Sequence, residues 1–131
     1  MQKRAINPGT WQDQFDFSQA IELEGVRRTV LVSGQLSVDK DGNTLHAGDM
    51  AAQFHAALDN LEIVLDHAGL KLSDLVQLNY FTTDIPAFLE AVPVVGERLR
   101  AAGCKPTSTL VQVVRLAQPD WMIELEAMAV A

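Results

Sequence analysis

The stretch WMIELEAMAV, residues 121–130, decides how the rest of the chain is arranged. Because side chains alternate across a strand, this stretch has one apolar face and one mixed face. The apolar face consists of Ile123, Leu125, Ala127 and Ala129. The mixed face consists of Met122, Glu124, Glu126 and Met128. Helices can cover the apolar face, whereas the mixed face suggests burial against another subunit. We therefore expect a homo-oligomer with its interface on the mixed face.

Helical patterns lie between the strand-like segments. Asp49 has the side chain of an N-cap, and apolar residues then recur at three- and four-residue spacing up to Leu65. This pattern predicts a helix of about five turns, ended by Gly69. Asp84 and Pro86 open a second helical pattern that Gly103 stops.

The second helical pattern contains Pro93, which removes a backbone donor and restricts the residue before it. We expect a short turn at 86–91 and the main helix from Pro93 onward.

The remaining segments predict a sheet. Strand-like runs are found at 17–23, 29–34, 75–83, 109–116 and 121–130. One further short strand is expected before the first helix, which gives six strands in all. Two helices cannot easily cover both faces of so wide a sheet. We therefore predict an α+β fold, with a mixed six-stranded sheet and both helices on one face.

Composition narrows the possible functions. The chain has 131 residues, which fits a single domain spanning 1–131. No apolar run is long enough for a membrane span, and the first residues do not resemble a signal peptide. The single cysteine, Cys104, allows no internal disulfide and fits a cytoplasmic location. A net charge of −7 disfavours nucleic-acid binding, because phosphates would be repelled.

Few residues stand out as chemistry-bearing. His46, His55 and His67 lack metal-ligand spacing, so we expect no metal site. Cys104 has no histidine close by in the sequence, and an inert thiol is favoured over a nucleophile. Glu124 allows two interpretations: a solvated carboxylate, which spacing alone favours, or a partly buried one that binds water or accepts a proton. Glu126 shares its face, so the pattern does not choose between them.

The chain also resembles a known family. The segments 17–23, 30–42, 51–91 and 108–130 are similar, in order, to the RidA/YjgF family of reactive intermediate deaminases, once named L-PSP endoribonucleases. The combination of VSGQ, a spaced NLE.VL..AG and a closing E.EA.AV is specific. This resemblance implies a chorismate-mutase-like fold of the bacillus type. It also implies a homotrimer with a central β-barrel and small-molecule pockets between subunits.

The family resemblance also implies a chemistry. Deaminating members hydrolyse reactive enamines and imines, such as 2-aminoacrylate, to 2-oxo acids and ammonia without a metal or cofactor. An arginine holds the substrate carboxylate, and a glutamate with backbone groups positions the attacking water. The motif VSGQ is intact here and supplies Ser33 and Gly34, while the acidic residue of the last strand matches Glu124.

Three pocket positions depart from the family pattern together. The tyrosine before SQA is Phe17, and an asparagine of the second helix falls at Val92. The carboxylate-binding arginine falls at Ser108, which Thr109 follows. Losing a charge-assisted contact costs about 1.5–3 kcal/mol, so the usual imine acid should bind poorly. Arg115 lies on the opposite face of a regular strand and roughly 20 Å or more away, so we do not expect it to substitute.

Three functions remain open at this point. The first is an enzyme that acts on an imine or enamine without a carboxylate clamp, with Glu124 as its catalytic residue. In that case Phe17, Ser33, Gly34, Val92, Ser108 and Thr109 would contact the substrate. The second is a trimeric metabolite-binding module with no turnover. The third, a ribonuclease or translation inhibitor, is disfavoured by the acidic charge.

Overall fold

The computed structural model describes residues 1–131 and contains six strands and three α-helices. The elements are β1 (Gln2–Ile6), β2 (Ala20–Glu24), β3 (Thr29–Gln35), α1 (Met50–His67), β4 (Leu75–Thr82), α2 (Ile85–Val95), α3 (Glu97–Ala101), β5 (Leu110–Gln112) and β6 (Ile123–Val130). Short 3₁₀ turns lie at Trp11–Phe15 and Leu72–Asp74. No helix is both long enough and apolar enough to cross a membrane.

The strands form a mixed sheet and a separate pair. Four strands lie in the order β3-β6-β4-β5, with β6 antiparallel to both neighbours and β5 parallel to β4. The antiparallel pair β1-β2 stands apart. The α+β class and the mixed sheet are confirmed, but the six strands divide between two sheets. The prediction missed β1, whose residues are all exposed and carry no apolar alternation. The strand expected before α1 is only an isolated bridge between Val38 and Thr44.

Helix α1 forms as the pattern predicted. The Asp49 carboxylate accepts a hydrogen bond from the Ala52 amide at 3.1 Å, and Gly69 follows the helix with φ +73°. The buried stripe of α1 includes Phe54, Leu58, Leu61 and Leu65. This stripe packs on the apolar face of β6, where Ile123, Leu125 and Ala129 are completely buried. The helices therefore cover one face of the sheet and leave the other open.

The expectation at Pro93 is wrong. Helix α2 continues through Pro93 to Val95, and α3 follows after Gly96. Pro93 lies in the last turn of α2, so the only helical bond it removes is the one to the carbonyl of Leu89, an exposed residue. The interruption falls at Gly96 instead, where a side chain would collide with the Val92 carbonyl.

The segment after Ser108 also differs from its prediction. Strand β5 has three residues, and the chain leaves the sheet beyond Gln112. Val114 is completely exposed, and the Arg115 guanidinium bonds the carbonyls of Leu116 and Ala117 at 3.2 and 3.3 Å. Because β5 ends at Gln112, Arg115 does not lie on a regular strand, contrary to the expectation. The Arg115 side chain nevertheless hydrogen-bonds carbonyl groups of its own loop.

Substitution on α1 tests the core. Leu61→Ala should destabilise the fold by about 2–5 kcal/mol, because it leaves a cavity under a completely buried side chain. The matched control is Ile63→Ala on the same helix, whose side chain is 55% exposed and whose loss should cost well under about 1 kcal/mol. Urea unfolding measures both. Equal losses would show that α1 does not pack through this stripe.

Candidate functional site

A cavity of about 390 Å³ opens between the 3₁₀ turn Trp11–Phe15, helix α2 and the strands β4 and β5. Most of its lining is hydrophobic. Phe17, Val92 and Ser108, the three positions that depart from the family pattern, all lie in its wall. The structure therefore brings these three sequence-predicted residues together within one chain.

Aromatic rings form one side of the cavity. The rings of Phe54 and Phe88 stack with centroids 5.3 Å apart. The Tyr80 ring meets Phe54 edge-on at 5.6 Å and Phe88 at 5.1 Å. Phe17 lies in the wall and contacts Trp11 edge-to-face at 5.5 Å. Such arrangements are favoured by the ring quadrupoles and give the cavity a preformed apolar wall.

Phe54 and Phe88 fall on the apolar sides of the two helical patterns in the sequence, and no motif singles out Tyr80. The three residues belong to three separate elements, α1, α2 and β4. Their convergence depends on tertiary packing, and no local spacing signals it.

The charged groups at the cavity neutralise one another. Asp16 is the one charged residue in the lining, and its carboxylate accepts a hydrogen bond from Arg100 Nη1 at 2.7 Å. The other guanidinium donors of Arg100 bond the Glu97 carboxylate at 3.1 and 2.9 Å and the Pro93 carbonyl at 3.1 Å. No lysine, arginine or histidine lines the cavity. A ligand carboxylate would find no free cation there.

Glu124 lies on the other face of the sheet. On β4, Tyr80 lines the cavity while the next residue, Phe81, pairs across to Glu124. Glu124 is half-buried, and burial raises the pKa of its carboxyl, with a further increase from the negative charge of Glu126. The half-buried state and the raised pKa agree with the second interpretation of this residue, a partly buried carboxylate that binds a water or accepts a proton.

Gly34 sets the position of the Glu124 side chain. The pairing of β3 with β6 shifts between Val32 and Gln35, so Ser33 and Gly34 lie in a bulge. A Cβ built on Gly34 would overlap the Glu124 carboxylate. A side chain at position 34 would therefore displace the Glu124 carboxylate from this position. Ser33 is exposed beside it, and neither residue lines the cavity.

Thr109 is connected to Glu126 through the side chain of Asn79. Its side chain is exposed and does not line the cavity, in contrast to the neighbouring Ser108. The Thr109 amide donates to Asn79 Oδ1 at 3.0 Å, and Asn79 Nδ2 donates to Glu126 Oε1 at 3.1 Å. Within one chain, none of Glu124, Ser33, Gly34 and Thr109 lines the cavity.

Cys104 and the possible metal ligands do not form a further site. Cys104 is buried, and burial raises the pKa of its thiol to about 12, which suits an inert side chain. No cluster of three or more histidine, cysteine, aspartate or glutamate side chains is arranged to hold a metal ion.

Comparisons with known proteins agree with the resemblance. The family model described as Endoribonuclease L-PSP matches residues 12–131. A RutC family protein of Pyrococcus abyssi is 31% identical over 113 residues, which cover 86% of this chain and 84% of the relative.

Solved structures agree as well. YyfB of Yersinia pestis, a Rid-family protein of unknown function, has 33% identity and a TM-score of 0.87, with 100% of both chains covered. TdcF of E. coli, solved with bound serine, has 30% identity and a TM-score of 0.70, with 88% and 87% covered. The chain therefore belongs to the Rid family, also known as YjgF, and has the fold of that family.

Proposed function

We propose that this protein hydrolyses an imine or enamine that carries no carboxylate. One observation carries the proposal: the cavity lined by Phe17, Val92 and Ser108 contains no cationic side chain. A carboxylate entering it would lose its hydration without gaining a charge-assisted bond. An uncharged substrate would lose little on entry, because most of the wall is apolar.

The proposed reaction uses Glu124 as the proton-transfer residue. The carboxylate accepts a proton from water as the water oxygen attacks the imine carbon, and the carboxyl returns this proton to nitrogen, which gives a neutral carbinolamine. The carboxylate then takes the hydroxyl proton and delivers it to nitrogen as the carbon–nitrogen bond breaks, so that a ketone and ammonia leave. The raised pKa of Glu124 supports this role, because a base and acid of intermediate strength serves both steps.

A complete site would need two copies of the chain. The cavity and Glu124 lie on opposite faces of one sheet, so a neighbouring copy is the simplest way to bring them together. The open face supports such packing, since it exposes Leu31 at 73% beside the mixed residues of β6. We propose the family's homotrimer, with sheets around a central β-barrel and small-molecule pockets between subunits. The free cysteine suits the cytoplasm, the compartment that we propose for it.

A non-catalytic metabolite-binding module is the second candidate. It is favoured by the observation that the cavity is formed within one chain and excludes Glu124. The serine bound to TdcF supports small-molecule binding as a property of relatives. A ribonuclease role has less support, because the net charge of −7 would repel a phosphate backbone.

A matched pair of substrates tests the enzyme proposal. Butan-2-imine and 2-iminobutyrate, each generated in situ, differ only by a methyl group in place of the carboxylate. We expect the protein to accelerate butanone release and to leave 2-oxobutyrate release near its spontaneous rate. Efficient release of 2-oxobutyrate would contradict the proposal. Binding of either compound without turnover would favour the non-catalytic module.

The double variant Phe17→Tyr/Ser108→Arg tests the same proposal in the opposite direction, by restoring a cation to the cavity. A restored guanidinium should raise kcat/KM for 2-iminobutyrate by about ten- to a hundredfold. The matched control is Phe17→Tyr/Ser108→Gln, which supplies similar length without charge and should give no such gain. If both double variants behave alike, charge at position 108 does not determine the substrate.

The pH dependence of hydrolysis tests the assignment of Glu124. As a base the residue must be deprotonated, so the rate should fall as pH drops through its raised pKa. Glu126→Gln removes the neighbouring charge that contributes to this rise, so the acid limb should move to lower pH. Gly34 and Phe81 bring no charge from the adjacent strands.

The control for the pH profile is Glu90→Gln, an exposed residue on α2 that should leave the profile unchanged. An acid limb that stays in place in Glu126→Gln would show that another group controls the rate.

A further inference from the structure

We propose that the cavity recognises an uncharged aryl group bearing one polar atom, and that the Tyr80 hydroxyl is the group that binds this atom. The inference rests on the proposed function, because it names the substrate class of the same cavity. It concerns binding, however, and can be tested without any turnover.

The aromatic wall is the first observation. Phe54, Tyr80 and Phe88 are in mutual contact, with all three centroid distances between 5.1 and 5.6 Å. Phe17 adds a further ring from the segment after the 3₁₀ turn. Rings packed in this way are already ordered, so binding of a planar apolar ligand requires little further ordering of the protein. A volume of about 390 Å³ lies within the range typical of small-molecule pockets.

The Tyr80 hydroxyl is the second observation. Every fully enclosed polar side-chain atom in the chain has a hydrogen-bond partner, yet this hydroxyl makes no hydrogen bond within the chain. Because Tyr80 lines the cavity, we infer that this unpaired hydroxyl faces it. Burial is the main cause that raises the pKa of Tyr80, followed by the nearby Cys104 and Asp16. The phenol remains protonated and can donate to a ketone or imine, or accept from an amine.

The charge balance within one chain disfavours ions of either sign. An anion would meet the Asp16 carboxylate and no free cation. Within one chain, a cation would find that carboxylate already paired with Arg100 at 2.7 Å, so only the faces of the aromatic rings would offset its lost hydration. Desolvation therefore disfavours both, and a neutral ligand with a single polar atom is the best match.

A series of benzene derivatives tests this inference. The probes are acetophenone, which is the product expected from an aryl ketimine, ethylbenzene, benzoate and protonated 1-phenylethylamine. Isothermal titration with the wild-type protein should give the tightest binding for acetophenone. Benzoate and the amine should bind at least about tenfold more weakly, because each must lose its hydration. Equal affinity for benzoate and acetophenone would overturn the inference.

Single-atom deletion tests the role of Tyr80. Tyr80→Phe should weaken acetophenone binding by about threefold to tenfold and leave ethylbenzene within about twofold. Ser108→Ala is the matched control, since it removes the other hydroxyl in the wall, and it should change acetophenone binding less. A larger effect of Ser108→Ala than of Tyr80→Phe would assign the recognition to Ser108 and overturn the inference.

A filled cavity provides the second control. Val92→Phe should abolish binding of both acetophenone and ethylbenzene, while its urea unfolding midpoint reports whether the fold is kept. Retained binding in a folded Val92→Phe protein would place the probes elsewhere and contradict the inference. Failure of aryl binding together with turnover of butan-2-imine would refute only this inference. Aryl binding without turnover of any imine would refute only the enzymatic proposal.

Discussion

Successive side chains on the central strands β4 and β6 point to opposite faces of the four-stranded sheet. This alternation places neighbouring residues of one strand in two different environments. Leu125 is completely buried in the core, whereas Glu124 next to it is only half-buried on the open face. Tyr80 and Phe81 divide in the same way. One face thus supplies the apolar cavity, and the other supplies the carboxyl with a raised pKa.

The two groups differ in how tightly they are fixed. The Glu124 carboxylate lies against a glycine in a bulge, so its position depends on the absence of a single carbon atom at Gly34. The cavity is held by stacked rings and by the Asp16–Arg100 ion pair, which ties the segment after the 3₁₀ turn to α3. Phe17, Val92 and Ser108, which the resemblance places at polar positions of the family pattern, are apolar or uncharged here, and no cation lines the cavity.

Much of the fold followed from local signals. The N-cap at Asp49, the α1 stripe and the alternation of residues 121–130 each depend on neighbours within a few positions, and each was predicted correctly. The prediction failed at β1, which has no apolar face, and at Pro93, where the cost of a proline depends on how near the helix end lies. In the candidate site, Phe17, Val92 and Ser108 came from the resemblance. The role of Tyr80 could not be predicted, because its contacts with α1 and α2 arise only in the folded chain.

The central claim is that Glu124 of one copy completes the cavity of another. Mixing two inactive variants tests it most directly: Glu124→Gln keeps the cavity, and Val92→Phe keeps the carboxylate. The two are unfolded and refolded together, mixed oligomers are verified by native mass spectrometry, and butan-2-imine hydrolysis is measured. We expect activity to return in the mixture, because some interfaces then pair an intact Glu124 with an intact cavity. Verified mixed oligomers that remain inactive, as each variant is alone, would contradict a site shared between copies.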